Sequence, residues 1–231
     1  MPVIDDINAE KKKFKDMNFK GKAQYIWDYY RVPIIVVAGI LFLSIFIIKD
    51  IISNNRETYL NACMINTNYI YDTETTLIND YINYAGVDTD AMQLNIDYSM
   101  KIDLEGGDQM SLAYQQKIMA LFAANELDLM IADNNLIDSY ASADAFANIE
   151  EFLPDDLKAE LEEKGFSYYT AKTEDGSTIP VGVCLENCKR FEMDGTAGTY
   201  AEDVMPVYAV VYNAPHPEHA IEYLRFLISE N

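Results

Sequence analysis

Histidine, cysteine and basic side chains are scarce in this chain, and each scarcity removes a class of function. Among 231 residues there are two histidines, three cysteines and one tryptophan. A Ser-His-Asp or Cys-His system would have to be built on His216 or His219, and no catalytic residue can be named from the sequence. Three cysteines make no disulfide framework. Lys and Arg number 17 against 38 Asp and Glu, a formal net charge of −21. A surface of that sign is repelled by phosphate, so nucleic acid is excluded as a partner. No internal repeat or low-complexity tract is present, and no cofactor is expected.

Carboxylates and one long apolar run are abundant. Val32 to Ile48 is seventeen residues without a charge. As a helix this covers about 25 Å at ~1.5 Å per residue, slightly short of a ~30 Å hydrocarbon core. Lys49 can snorkel outward, and Ile51 and Ile52 extend the apolar face. Trp27, Tyr29 and Tyr30 precede the run, where amphipathic rings favour the headgroup layer. Pro33 is expected in the first helical turn, where its missing N–H costs nothing. The run is apolar on every side, unlike a core helix with one polar stripe. A cleaved signal is a poorer reading, because the preceding segment is long and no small-x-small site follows closely. Leu60-Asn61-Ala62-Cys63 imitates a lipoprotein box but is separated from the run by Lys49, Asp50, Asn54, Asn55, Arg56 and Glu57.

Charge is split across this run. Residues 1–48 carry seven Lys and Arg against five Asp and Glu, and the rest carries ten against thirty-three. Positive charge stays on the cytoplasmic side. The expected organisation is therefore a cytoplasmic basic segment (1–31), a transmembrane signal-anchor helix (32–52) with the lipid bilayer as its partner, and an extracytoplasmic domain (57–231).

The domain alternates between periods. Strands are expected at 58–65, 92–99, 127–133, 167–172, 178–185 and 206–213. Helices are expected at 73–86, capped by Thr73, then at 109–126, at "LIDSYA", within 146–165 with a start at Pro154-Asp155-Asp156, and at 217–229. That order predicts an α/β domain with a single, mainly parallel sheet flanked by helices.

Two stretches carry a resemblance. In "YQQKIMALFAANELDLMIADNNLIDSYASADAFANIEEFLP" (114–154), a helix leads into Asn125-Glu126-Leu127-Asp128-Leu129-Met130-Ile131, followed by Phe146, Ile149 and Leu153. "PVYAVVYNAPHPEHAIEYLRFLI" (206–228) has a strand and then a helix bearing Pro217, Ala220, Tyr223, Leu224 and Phe226. Together they resemble the first lobe of extracellular solute-binding proteins of the type II periplasmic-binding fold, the second stretch matching that family's return to lobe one. Only about fifty residues, 155–205, separate the two, too few for a full second lobe. The resemblance therefore implies one lobe, with a partner protein or a weakly held small ligand as its occupant. The N-terminal "KDMNFKGKAQYIWDYYRVPII" resembles the start of uncharacterised membrane proteins of clostridia-like Gram-positive bacteria, which implies no activity.

Several candidate chemistries have a plainer reading beside them. His216 and His219 with Glu218 or Glu222 could hold a metal, but the pair straddles a helix start and reads as exposed imidazoles. No metal site is therefore assigned. Gly106-Gly107 before a helix could offer amides to an anion, or simply make the turn. Cys184 and Cys188 could pair or stay separate, and Cys63 reads as a buried thiol. Tyr168, Tyr169, Tyr200, Tyr208 and Tyr212 could line a recognition surface or be half-buried strand residues.

In an open α/β sheet, ligands bind beyond the carboxyl ends of the strands. That rule selects Ser99, Asp133, Asn134, Asn135 and Asn213. The expected function is a membrane-anchored binding or scaffold domain without catalysis. A solute-capture module serving a transporter and a hydrolase acting at the cell wall are the alternatives.

Overall fold

The computed structural model describes residues 18–54, 56–68, 76–191, 200 and 204–230. The first seventeen residues of the basic segment and the expected cap Thr73 lie outside them. The chain divides into two compact units, one ending at Arg56 and the other beginning at Glu57.

Among the described residues, the first unit contains one helix, α1 (Phe19–Asn54). Within it, Arg31–Lys49 is long and apolar enough to cross a membrane. The helix begins well before the apolar run, so Pro33 lies in its interior rather than in its first turn. The run 19–31 contains no other Pro, and its helix-forming side chains carry the ladder up to and through the apolar segment.

The second unit is one six-stranded sheet with helices on both faces. Its strands are β1 (Glu57–Met64), β2 (Met92–Asp97), β3 (Leu129–Asp133), β4 (Tyr168–Lys172), β5 (Thr178–Cys184) and β6 (Pro206–Val210). The helices are α2 (Thr76–Ala85), α3 (Gln109–Ala124), α4 (Asn134–Ala141), α5 (Ile149–Phe152), α6 (Asp155–Glu163) and α7 (Pro217–Ile228). The strand order is β2-β1-β3-β6-β5-β4.

The sheet is mixed, which corrects the expectation of a mainly parallel one. β1 pairs in parallel with β2 and β3. The other three pairings, β3–β6, β6–β5 and β5–β4, are antiparallel. The reason is local for β4 and β5. Only Thr173–Ser177 joins them, and a connection that short makes a hairpin, whereas parallel neighbours need a crossover of a dozen residues or more. Thr173 N donates to Ser177 O (2.9 Å), and Asp175 Oδ1 accepts from Ser177 N (2.9 Å). β6 then runs back between β3 and β5.

Side-chain alternation divides the core into two layers. Leu129, Ile131, Tyr208 and Val210 face one side, against α2, α6 and α7 residues including Tyr81, Leu157, Tyr223 and Phe226. Met130, Ala132, Val207 and Ala209 face the other side, against Ile118 of α3 and Leu136 and Ile137 of α4. Because both faces are covered, β6 is buried at all five positions and β3 at four of five, and both read as near-continuous apolar runs. Cys184 and Cys188 are not bonded to each other. Cys188 is buried and its thiol donates to Leu227 O (3.3 Å) on α7, and burial pushes that thiol up to about 12. Cys63 is buried, as expected.

Gly182 marks the tightest crossing in the sheet. A Cβ there would lie 2.6 Å from Val207 Cγ1 and closer still to the Tyr208 carbonyl oxygen. Gly182→Ala must push β5 away from β6. We expect a loss of about 1–3 kcal/mol, read as a lowered midpoint in thermal or urea denaturation. A midpoint equal to the wild type would mean that the two strands have slack.

Candidate functional site

β1 and β3 lie side by side, but the chain leaves their carboxyl ends toward opposite faces. β1 leads to α2 on one face of the sheet and β3 leads to α4 on the other. Such divergence opens a crevice at the end of a sheet. Here it is a cleft of about 600 Å³ whose lining includes Asn66, Asp103, Glu105, Asp133, Asn134 and Asn135.

Asn66 organises this end of the sheet. It follows β1 with φ of 60°, a left-handed conformation that Asn tolerates better than most residues. Its Oδ1 accepts from Ile102 N (2.8 Å), and its Nδ2 donates to Ile102 O (2.9 Å) and Asp133 Oδ2 (2.9 Å). The other Asp133 oxygen accepts from Leu136 N (3.1 Å) and caps α4. One carboxylate therefore joins the loop after β1 to the helix after β3. The loop before α3 is fixed in the same manner. Ser111 is buried, and its Oγ accepts from Asp103 N (2.9 Å) and donates to Asp103 O (3.0 Å). The Gly106 and Glu105 N–H groups hold the Asp103 carboxyl below the usual carboxylate range. The amides that an anion could have used at Gly106 are thus turned on the chain's own carboxylate.

Asp133, Asn134 and Asn135, three of the five residues selected from sequence, line this cleft together. Ser99 lies at the same end of the sheet but is occupied elsewhere. Its N (2.9 Å) and Oγ (2.7 Å) donate to Asp97 Oδ1, while Lys117 Nζ meets Asp97 Oδ2 at 2.6 Å. Asn213 is at the opposite end. β6 runs antiparallel to β3, with Asp133 beside Pro206 and Leu129 beside Val210, so the residues after β6 sit where β3 begins.

That opposite end holds the one buried charged residue among those described. The Asp128 side chain is 0% exposed. Its Oδ2 accepts from Asn61 N (2.8 Å) and its Oδ1 from His216 N (2.7 Å), and the His216 ring nitrogen Nδ1 lies 3.1 Å from Oδ2. His219 stacks on Tyr59 with ring centroids 3.6 Å apart. Glu222 accepts from the hydroxyls of Tyr59 (2.5 Å) and Tyr81 (3.3 Å). Burial first, and the Glu222 carboxylate after it, push both phenols up, so they remain protonated donors. The imidazoles are therefore engaged in packing rather than exposed, which corrects the sequence reading. Among the described residues no group of three or more His, Cys, Asp or Glu could hold a metal ion.

The tyrosines divide. Tyr200 and Tyr208 are buried, donating to Ile131 O (3.1 Å) and Ala220 O (2.6 Å). Tyr168 and Tyr169 are half-buried, and Tyr212 is 69% exposed. Sequence reasoning did not single out Asn66 and Asp128, whose side chains hold the two ends of the sheet by hydrogen bonds. The available signals were an Asn directly after a buried strand and a lone carboxylate between Leu127 and Leu129 in an apolar run. A buried charge of that kind must be met by donors.

Removing the Asp128 carboxylate orphans two backbone N–H groups. We expect Asp128→Ala to cost at least about 2 kcal/mol and His216→Ala to cost less, measured by denaturant melts. Equal costs would place the energy in the imidazole contact alone. Asp97 gives a pH-dependent expectation. Burial raises its carboxyl, but the Lys117 and Ser99 hydrogen bonds outweigh that, and the net shift is downward. A depressed folded value contributes stability above the unfolded value of about 4 and loses it as pH falls through the folded one. The midpoint difference between wild type and Asp97→Asn should therefore be present at neutral pH and vanish in acid. A difference that persists unchanged to low pH would contradict this assignment.

No family model, curated protein or solved structure matches the chain.

Proposed function

We propose that the chain is a single-pass membrane protein whose α/β domain is held outside the cytoplasm as a binding or scaffold module. The observation that carries the binding reading is the crevice between the ends of β1 and β3, where amide and carboxylate side chains converge. Anchoring rests on the helix Arg31–Lys49 and on the basic residues that precede it. The solute-binding resemblance has topology in its favour: β6 and α7, from the second matching stretch, return to the centre of the sheet beside β3. A single lobe walls a cleft from one side only, so a protruding loop of a partner protein suits it better than a small solute enclosed on all sides.

Solute capture is the second reading, favoured by the hydrogen-bonding side chains of the same cleft. A cell-wall hydrolase is the reading from another class. The Asp128–His216 contact is the observation in its favour, but both carboxylate oxygens already accept backbone N–H groups.

The test uses the full chain. External protease on intact cells should remove a C-terminal tag and spare an N-terminal one; the reverse pattern would overturn the topology. In nanodiscs, a thermal-shift screen of amino acids, sugars and peptides reads occupancy as a rise in midpoint with concentration. A saturable shift that Asn135→Ala abolishes would assign the cleft to solute capture. A flat screen, together with a cross-linked membrane partner lost in Asn135→Ala, is the result expected here.

A further inference from the structure

A second cleft, of about 680 Å³, opens at the other end of the sheet, where β6 ends and the β4–β5 hairpin turns. Carboxylates and apolar side chains line both clefts, and aromatic rings distinguish the second. Phe146, Phe152 and Ile179 supply apolar wall, Tyr212 adds an aromatic ring, and Asp144 and Glu151 supply two carboxylates. No Lys or Arg is among its described lining residues.

The walls are fixed by backbone. Phe146 bridges Val211 in antiparallel register, and Tyr212 N donates to Ala145 O (3.0 Å). Asp144 has φ of 55°, and its Oδ1 accepts from Glu174 N (3.0 Å), which ties the loop after α4 to the hairpin turn. Glu151 Oε1 accepts from Asn148 Nδ2 (3.2 Å). Tyr212 is 69% exposed at the cleft, more than Tyr84, the other exposed aromatic ring among the described residues of the domain. A ring presented to water beside apolar wall is a surface made to be covered.

Charge selects what covers it. Aromatic faces attract cations, two carboxylates add direct partners, and none of the described lining residues is a Lys or Arg. We infer that this cleft docks a peptide segment of a partner protein that carries Lys or Arg next to an aromatic or aliphatic residue. The apolar neighbour packs on Phe146, Phe152 and Ile179. The cationic head reaches Asp144 or Glu151 beside the Tyr212 ring. The site is separate from the cleft at β1 and β3.

The experiment is fluorescence anisotropy with the full chain in nanodiscs of neutral lipid and the labelled probe Ac-Ala-Arg-Phe-Arg-Ala-NH2. A chain of net charge −21 attracts any cation, so a general field must be separated from a site. Asp144→Asn and Glu151→Gln keep the oxygens that accept from Glu174 N and Asn148 Nδ2 while removing the charges, so the fold is preserved. The pair should raise Kd at least tenfold, and Tyr212→Ala should raise it several-fold. Glu162→Gln with Glu163→Gln, exposed on α6, should leave it within twofold, as should Asn135→Ala in the other cleft. Equal weakening by the α6 pair would overturn the proposal in favour of a general acidic field. Displacement of the probe by a neutral oligosaccharide, or by spermidine as well as by unlabelled peptide, would overturn it in favour of a sugar or a free amine. No measurable binding would overturn it outright.

Discussion

The Asp128 carboxylate holds together parts of the chain far apart in sequence. It takes an N–H from β1 at Asn61 and another from His216, directly before α7, while itself preceding β3. Positions 61, 128 and 216 thus converge on two oxygen atoms. A buried carboxylate costs several kcal/mol unless donors replace its water. Its cost is met only when all three segments are in register, which makes the group a test of correct assembly. Once α7 starts at that point, Tyr223, Leu224, Phe226 and Leu227 are delivered onto the face of the sheet that also receives Tyr81 of α2. Tyr81 and Tyr223 then meet edge to face with centroids 4.7 Å apart. Glu222, on the same helix, gathers the Tyr59 and Tyr81 hydroxyls.

Much of the fold was legible because it is local. Strand and helix periods placed most elements to within a few residues. Pro154 and Pro217 marked the starts of α6 and α7, where a proline costs nothing. Strand direction was not legible from element order alone, because alternation along a chain does not say where a strand is inserted. The five-residue connection Thr173–Ser177 did carry a direction, and it points to a hairpin rather than a crossover. The insertion of β6 between β3 and β5 is a long-range event with no counterpart in the local pattern. The candidate site followed the same division. Asp133, Asn134 and Asn135 line one cleft because β3 is parallel to β1 and the two strands end side by side. Asn213 lies apart from them because β6 is antiparallel to β3, so the residues after its carboxyl end emerge at the other end of the sheet. Ser99 lies at the same end as Asp133, but the demand of Asp97 for donors could not be read from its position.

The direction of β6 also explains why the two ends of the domain differ. Where parallel strands end side by side, loops leave toward opposite faces and expose backbone that must be satisfied by polar side chains. Asn66, Asp133 and the turn around Asp103 do that work, and polar side chains share the lining of the cleft with Ile102, Leu104, Leu136 and Val204. At the other end, β6 arrives beside the starting ends of β3 and β5, and the following chain pairs with 145–147 before entering α7. Strand pairing meets part of the backbone's needs there, and the Asp128 and Asp144 carboxylates meet others. Phe146, Ile179 and Tyr212 line a cleft with apolar surface, and Asp144 and Glu151 bring charge to it without either being buried. The reversed direction of β6 thus brings the residues after its carboxyl end to the end of the sheet where β3 and β5 begin, so that the two ends are lined by different side chains.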